Sequence, residues 1–391
     1  MFDQPFNMGR VPPVTFGPGT LAKVPRIAAG LGSGPVLVVA DAVLAQLGVT
    51  DQLSAHFAKA GMTVEVAAEI SGEPKDALVD RLAARARDTG CKVVVGLGGG
   101  AAMDAAKLVA AVACADKPAL HYALCANPYP AERLPAIAVP TTAGTGSEVT
   151  RTSIVSTAEG LKYWYWGEEL MFAHAVLDPE LSVSLPPHIT AWTGMDAVAH
   201  ALEAVTSRSS NPAGQAYGFQ ALGMLADALP RAVAEGSDVA LRGKMIWAAT
   251  VAGLALHNCN THMGHNISHS LGSLAPVHHG LATGLGLEVS LPFLCAQPAG
   301  EANYARASAA LGGEAEARAL PATFIRLMRD CGIDGRLPAA CAHVTPEALL
   351  EQMRSDANIG MSLNAACDLS EVDLEEMAMG MMALPGEEIA A

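Results

Sequence analysis

Short apolar runs alternate with helix-patterned stretches through the first half of the chain. Residues 36–39 (VLVV) form one continuous run, and the spacing predicts a helix after Ala40 and Asp41. Residues 62–66 read as a second strand, ahead of the helical pattern DALVDRLAARARDTG. Residues 92–96 (KVVVG) are a third, running through glycines into AAMDAAKLVAAVAC, and 136–139 are a fourth, ending in PTTAGTGSE. Apolar strands that alternate with helices belong to a parallel sheet covered on both faces.

The texture changes after LDPELSVSLPP (177–187). From His188 on, helical periodicity dominates and convincing strands disappear. Pro186 and Pro187 cannot continue a helix and fix an extended connection. The expected organisation is an α/β domain over residues 1–187 and an all-helical domain over 188–391.

Composition narrows what such a chain does. Hydrophobic residues make up 51% of the 391 and aromatics only 5%, so a large core must be packed mostly with Ala, Val, Leu and Met. A net charge of −15, with no basic stripe, disfavours nucleic acid as a partner. The eight cysteines form no CxxC pair, which suits free thiols in a reducing compartment. No apolar leader is evident at the N-terminus, and no uncharged apolar run reaches the length of a membrane span. A soluble cytoplasmic protein without membrane partners is the expectation.

The chemistry concentrates in the second half. Seven of the twelve histidines lie between 200 and 279, five of them within THMGHNISHSLGSLAPVHHG (261–280). His265 and His269 are four apart on a helical stretch, and so are Asp196 and His200 in GMDAVAHALEA. Two helices can each offer one such pair, with a third element supplying another histidine, as in a metal site in a bundle core. One carboxylate with three imidazoles and no thiolate suits Fe²⁺ or Zn²⁺ and is too nitrogen-rich for Mg²⁺ or Ca²⁺. Spacing alone leaves open which three histidines bind.

Two loops in the first half suit a dinucleotide. GLGGGAAMDAAK (96–107) is a strand end, a glycine run and a helix start, where backbone can approach a pyrophosphate. Its formal G-x-G-x-x-A match is weak, because it lies outside the first βα unit. PTTAGTGSE (140–148) adds hydroxyls and free amides after another strand. Asp41 ends the first clear strand, where a carboxylate takes ribose hydroxyls and repels a 2′-phosphate, favouring NAD over NADP.

Together GGGAAMDAAK, PTTAGTGSE, LDPELSVSLPP, GMDAVAHALEA and GHNISHSLGSLAPVHHG resemble, nearly end to end, the iron-dependent (group III) alcohol dehydrogenase family. The resemblance implies the fold shared with dehydroquinate synthase, with an N-terminal dinucleotide-binding domain and an all-α metal-binding domain. It implies Asp196, His200, His265 and His279 as ligands of Fe²⁺, or of Zn²⁺. His269 then faces the site without binding, a candidate to move the hydroxyl proton, while His257, His262 and His278 stand outside the ligand set. It further implies NAD contacts from Asp41, Gly98, Gly99, Gly100, Thr141, Thr142, Thr145, Ser147 and Lys162, with Glu73 a further nucleotide contact.

Several positions depart from the family pattern. Ala101 replaces a serine, Leu256 stands where many relatives place phenylalanine against the substrate, and LNAACDLSE (363–371) lacks the familiar Asn-Pro-Arg. KYWYWGEELMFAH (162–174) is unusually aromatic. The implied reaction is reversible hydride transfer between NAD(H) and a primary alcohol or aldehyde, in a homodimer or larger homo-oligomer. The alternatives are a maleylacetate reductase-like enzyme, or another reductase of an acidic or phosphonate-bearing aldehyde, which Arg151 would favour. A metal-dependent hydrolase is more remote, since it would need neither Asp41 nor the two loops.

Overall fold

The computed structural model describes residues 5–386. By its contacts the chain divides into an α/β unit, Arg10–Thr142 with Gly146–Ser184, and a helical unit. The helical unit runs from Leu185 onward and takes in residues 5–9 and Ala143–Thr145.

The α/β unit is built on a six-stranded parallel sheet in the order β1-β8-β5-β4-β2-β3. Its strands are β1 (Val14–Phe16), β2 (Val36–Asp41), β3 (Val64–Ile70), β4 (Val93–Gly98), β5 (Ala136–Pro140) and β8 (His174–Leu177). Two further strands, β6 (Thr152–Ser156) and β7 (Lys162–Trp166), pair as a separate antiparallel hairpin. The central strands β4 and β5 are buried at every position, as a parallel sheet with helices on both faces requires. Helices α1 (Val24–Leu31), α2 (Ala42–Gln46), α3 (Val49–Lys59), α4 (Asp76–Asp88) and α5 (Gly100–Val112) belong to this unit.

Strands β2, β4 and β5 lie where the apolar runs predict them, whereas β3 begins two residues into the predicted 62–66 run and continues to Ile70. Strands β1, β6, β7 and β8 were not foreseen. β1 is only three residues long and β8 four, too short to stand out as a run. β7 carries the aromatic KYWYW, whose pairing with β6 lies outside the main sheet. Strand β8 is followed by Asp178, whose buried carboxylate accepts from the amides of Gly19 (3.1 Å) and Leu21 (2.9 Å). The LDPE motif therefore ties the sheet to its N-terminal turn.

Strand order reverses between β2, which continues outward to β3, and β4, from which the sheet grows the other way. The registers pair Ala40 with Leu97, and Gly98 with Pro140, so the carboxyl ends of β2, β4 and β5 are aligned. Open α/β sheets bind ligands at such a switch point. Asp41 and the Gly98–Gly99–Gly100 run sit there.

The helical unit comprises α6 (Pro187–Thr206), α7 (Pro212–Ala234), α8 (Val239–Cys259), α9 (Met263–Leu274), α10 (His279–Leu294), α11 (Glu301–Ala310), α12 (Leu320–Asp330), α13 (Pro346–Met353), α14 (Ile359–Leu363) and α15 (Glu371–Met382). It holds no strand among the described residues, in keeping with its sequence texture. Pro187 starts α6, where its missing N–H costs nothing, and Asn211 caps α7 by accepting from Ala213 and Gly214. From Gly194 to Thr206 every residue of α6 is buried, so its polar side chains must find partners within the unit. Helix α8 is long and apolar enough to cross a bilayer, yet 72% of its most apolar window is buried, as in a core helix. None of the eight cysteines forms a disulfide.

Candidate metal centre and nucleotide loops

Helical geometry carries Asp196 and His200 to one face of α6, a turn apart. Helix α9 supplies His265, and α10 supplies its first residue, His279. Gly280 makes that last placement feasible: a Cβ there would fall 2.0 Å from the carbonyl oxygen of Trp192 and 3.1 Å from Cβ of Asp196. Only a glycine lets the start of α10 abut α6 so closely.

The four side chains converge on one carboxylate oxygen. Asp196 Oδ1 lies 3.8 Å from Nε2 of His200, 3.7 Å from Nε2 of His265 and 3.5 Å from Nε2 of His279. Donor atoms of Asp196, His265 and His279 all fall within 4.8 Å of one another. Two donors bound ~2.1 Å from one tetrahedral ion stand about 3.4 Å apart, so these spacings match a shared cation. Asp196 Oδ1 and His265 Nε2 are also buried with no hydrogen-bond partner. Orphaned polar atoms are costly inside a protein, and two aimed at one point are the signature of a group that completes them.

The rings are held in the tautomer such a group needs. His265 Nδ1 is 2.5 Å from Glu203 Oε2, and an ionised carboxylate only accepts, so the ring proton sits on Nδ1. Ser268 donates its hydroxyl proton to the carbonyl of His279 at 3.1 Å and so accepts from His279 Nδ1 at 3.0 Å. In both rings Nε2 is the nitrogen that faces Asp196 and that binds a cation when the ring is neutral. Carboxylate and hydroxyl partners behind the ligands are the usual means of orienting metal-binding histidines.

Electrostatics point the same way. Burial opposes the charge of Asp196, but His200, His279 and His265 around it hold its carboxyl well below the usual carboxylate range. Burial likewise opposes the charge of Glu203, which His262 and His265 hold at about 2. Burial disfavours the protonated ring of His265, yet Glu203 and Asp196 raise its pKa to about 9. At His200 burial prevails and its pKa falls. The two buried carboxylates, Asp196 and Glu203, carry the negative charge that a divalent cation balances once it displaces the proton of His265.

His269 follows His265 by one turn of α9. Its ring centroid is 5.2 Å from that of His279 and 6.3 Å from that of His265, so it faces the same cluster. His278 caps α10 and rests 5.1 Å from the ring of Trp192, and Leu256 is half-buried in the last turn of α8. Sequence reasoning missed Glu203 and Ser268. Glu203 follows Asp196 by seven residues and His200 by three, the spacing of one helical face, and that signal was available. Ser268 was not legible, because its role depends on how α9 meets α10.

In the α/β unit Asp41 accepts from the Gly99 amide at 2.7 Å. Gly98 has φ +149°, and a Cβ on it would lie 2.3 Å from Asp41 Oδ2 and 2.8 Å from Cβ of Ala102. Gly99 caps α5 and Gly100 opens it. The Thr141 amide donates to the Gly98 carbonyl at 2.9 Å, joining the two loops, and Thr142 would be 3.6 Å from a Cβ on Gly99. Glu73 and Lys162 form an ion pair at 2.6 Å, with Ser156 donating to Glu73 at 2.6 Å.

Ser147 donates its hydroxyl proton to the half-buried carboxylate of Asp104 at 2.6 Å, and Asp104 also accepts from the Ile154 amide at 2.8 Å. Thr145 falls with the helical unit rather than with its loop neighbours Thr141 and Thr142. The Arg151 guanidinium pairs with Glu168 and stands 4.1 Å from the ring of Trp166.

Comparisons with known proteins identify the family and its fold. Residues 12–179 match the family model described as iron-containing alcohol dehydrogenase, and residues 190–370 match that of the Fe-containing alcohol dehydrogenase family, C-terminal. The NAD-dependent methanol dehydrogenase of Bacillus methanolicus is 31% identical over 288 residues, covering 73% of this chain and 74% of that one. The 1-propanol dehydrogenase PduQ of Salmonella typhimurium is 36% identical over 297 residues, covering 76% and 75%. The crystal structure of sulfoacetaldehyde reductase from Bifidobacterium kashiwanohense in complex with NAD+ superposes with a TM-score of 0.87 at 27% identity, covering 97% of this chain and 99% of that one.

Proposed function

The chain belongs to the iron-containing alcohol dehydrogenase family, and from that premise we propose that Asp196, His200, His265 and His279 hold its iron and that the carboxyl ends of β2, β4 and β5 hold its NAD. It is an NAD-dependent oxidoreductase that interconverts a primary alcohol and its aldehyde. The observation that carries the assignment is the pair of orphaned donors, Asp196 Oδ1 and His265 Nε2, turned toward one point. When bound, the divalent ion acts as a Lewis acid on the substrate oxygen.

The chain's own groups do the rest. Asp196 supplies the negative charge of the ligand set, and Glu203 and Ser268 keep His265 and His279 turned with Nε2 inward. The glycine run lets backbone amides approach the pyrophosphate at the start of α5. Asp41 takes the adenosine ribose hydroxyls and disfavours a 2′-phosphate. His269, beside His279, takes up and releases the hydroxyl proton, which an imidazole does at neutral pH.

Two outcomes follow for single variants. Asp41→Gly should raise the ratio of NADPH to NADH turnover, with some loss for both cofactors because the Gly99 amide loses its acceptor. An unchanged ratio would remove Asp41 from the ribose site. His269→Ala should keep its metal content while kcat falls, by up to about 10²–10⁴-fold where proton transfer limits turnover, and the pH profile changes. Metal loss equal to that of His265→Ala would instead make His269 a ligand.

We place the enzyme in the cytoplasm as a homodimer or larger homo-oligomer, on the strength of its eight cysteines outside any disulfide and its family. Because Arg151 is already engaged by Glu168 and Trp166, short neutral aldehydes are the first substrates to test. The experiment is a panel of aldehydes, neutral, carboxylated, sulfonated and phosphonylated, assayed with NADH after anaerobic Fe²⁺ loading. Turnover of none of them would defeat this reading.

A further inference from the structure

The nucleotide loop after β5 runs from Thr141 to Glu148, and both of its ends are bonded to β4 and α5. At the near end the Thr141 amide donates to the Gly98 carbonyl at 2.9 Å, a bond between backbone groups. At the far end Gly146, at φ +61°, turns the chain, and the Ser147 hydroxyl donates to Asp104 Oδ1 at 2.6 Å. Gly98 closes β4, and Asp104 lies one turn beyond Gly100, the first residue of α5. The far end therefore depends on two side chains.

Asp104 is itself tied to the hairpin that follows the loop. Its Oδ2 accepts from the Ile154 amide at 2.8 Å, and its backbone carbonyl accepts from the Ser153 hydroxyl at 2.9 Å. Lys107, three residues on, has its Nζ 3.8 Å from Asp104 Oδ1. It is only 1% exposed, and a lysine is almost never so buried unless it is paired. Its ammonium donates to the Thr152 carbonyl at 2.6 Å and to the Thr150 hydroxyl at 3.2 Å. Hydrogen bonds and a countercharge are what a buried ammonium needs in place of water.

We propose that Asp104 and Lys107 are positioning residues for the cofactor: they clamp Ser147–Ile154 onto α5 and so fix the loop that carries Thr141 and Thr142 beside the glycine run. The inference rests on the proposed NAD site at the carboxyl ends of β2, β4 and β5. Each bond of the clamp joins α5, whose first turn receives the pyrophosphate in that reading, to the chain that continues from the loop. A loop already ordered in the free protein binds more tightly than one its ligand must order. Ser147 then acts through Asp104 and makes no contact with the dinucleotide.

The experiment measures NADH affinity by fluorescence titration, and the thermal midpoint without cofactor. The proteins are wild type, Ser147→Ala, Asp104→Ala, the double variant of these two, Asp104→Asn and Lys107→Met. Asp104→Ala and Lys107→Met should bind NADH about tenfold more weakly, and Ser147→Ala about threefold. The double variant should be no weaker than Asp104→Ala, because the hydroxyl acts only through that carboxylate. Asp104→Asn should recover most of the loss: its amide oxygen accepts from Ile154, and its amide nitrogen donates to the Ser147 hydroxyl, which also accepts.

Ser147→Ala removes a single hydroxyl and carries the test should Asp104→Ala or Lys107→Met fail to fold. A purely structural network would lower the midpoint and leave NADH affinity at the wild-type value in the folded variants. That result overturns the proposal. Additive losses in the double variant would make Ser147 a direct contact of the dinucleotide, and overturn it too. A wild-type protein that binds no NADH would overturn the cofactor site as well, so the two failures are distinguishable.

Discussion

Asp196→Ala should leave the protein folded but without its ion, and should lower kcat/KM for aldehyde reduction by about 10³-fold or more. Asp196 is the single carboxylate in the proposed ligand set, and its Oδ1 is the atom from which all three Nε2 positions are 3.5–3.8 Å. Removing it takes away one ligand and one of the two buried negative charges that balance a divalent cation. A metal acting on the substrate oxygen supplies several kcal/mol of transition-state stabilisation, and each 1.36 kcal/mol is about tenfold in rate. Folding should survive, because Oδ1 makes no hydrogen bond that the alanine would lose. Metal analysis and circular dichroism on the purified variant check both halves. Wild-type metal content in Asp196→Ala would move the site elsewhere.

Gly98→Ala should damage the other half of the reaction. The residue occupies φ +149°, which L residues rarely adopt, and the added Cβ would stand 2.3 Å from Asp41 Oδ2 and 2.8 Å from Cβ of Ala102. Backbone strain and overpacking each cost about 1–3 kcal/mol, so a loss of about 2–4 kcal/mol in stability is expected. Displacing Asp41 also disrupts its bond from the Gly99 amide, and NADH affinity should fall about tenfold or more. Gly99→Ala is the matched control, since its Cβ would meet nothing closer than 3.6 Å. Thermal unfolding and NADH fluorescence titration distinguish the two. Equal behaviour would mean that the conformation at Gly98 is not what shapes this loop.

How much of this was legible in the sequence depends on the range of the interaction. Strands β2, β4 and β5 announce themselves because a buried parallel strand is a nearly continuous apolar run, a local property. The i,i+4 pairs Asp196/His200 and His265/His269 are equally local, and the family motifs added His279. The hairpin β6–β7 was hidden because its aromatic strand pairs outside the main sheet.

Long-range pairing hid the rest of the site. Ser147 reads as a cofactor hydroxyl in its loop, but it is bonded to Asp104, forty-three residues earlier. Arg151 reads as a cation beside a cofactor loop, with nothing in its spacing to show that its partner is Glu168. Lys162 and Glu73, proposed separately as nucleotide contacts, are 2.6 Å apart. His262 reads as a surplus histidine, because nothing in its spacing reveals Thr206 beside its Nε2. Each of these partners is contributed by another element, and only packing brings them together.

The most direct test of the account is one titration. The protein is stripped with a chelator, then supplied anaerobically with increasing Fe²⁺, and NADH oxidation by a short primary aldehyde is followed. The stripped protein should be inactive, its activity should rise to a plateau at one Fe²⁺ per chain, and Asp196→Ala should show no recovery at the same Fe²⁺. Full activity in the stripped wild type, or equal recovery in Asp196→Ala, would contradict it.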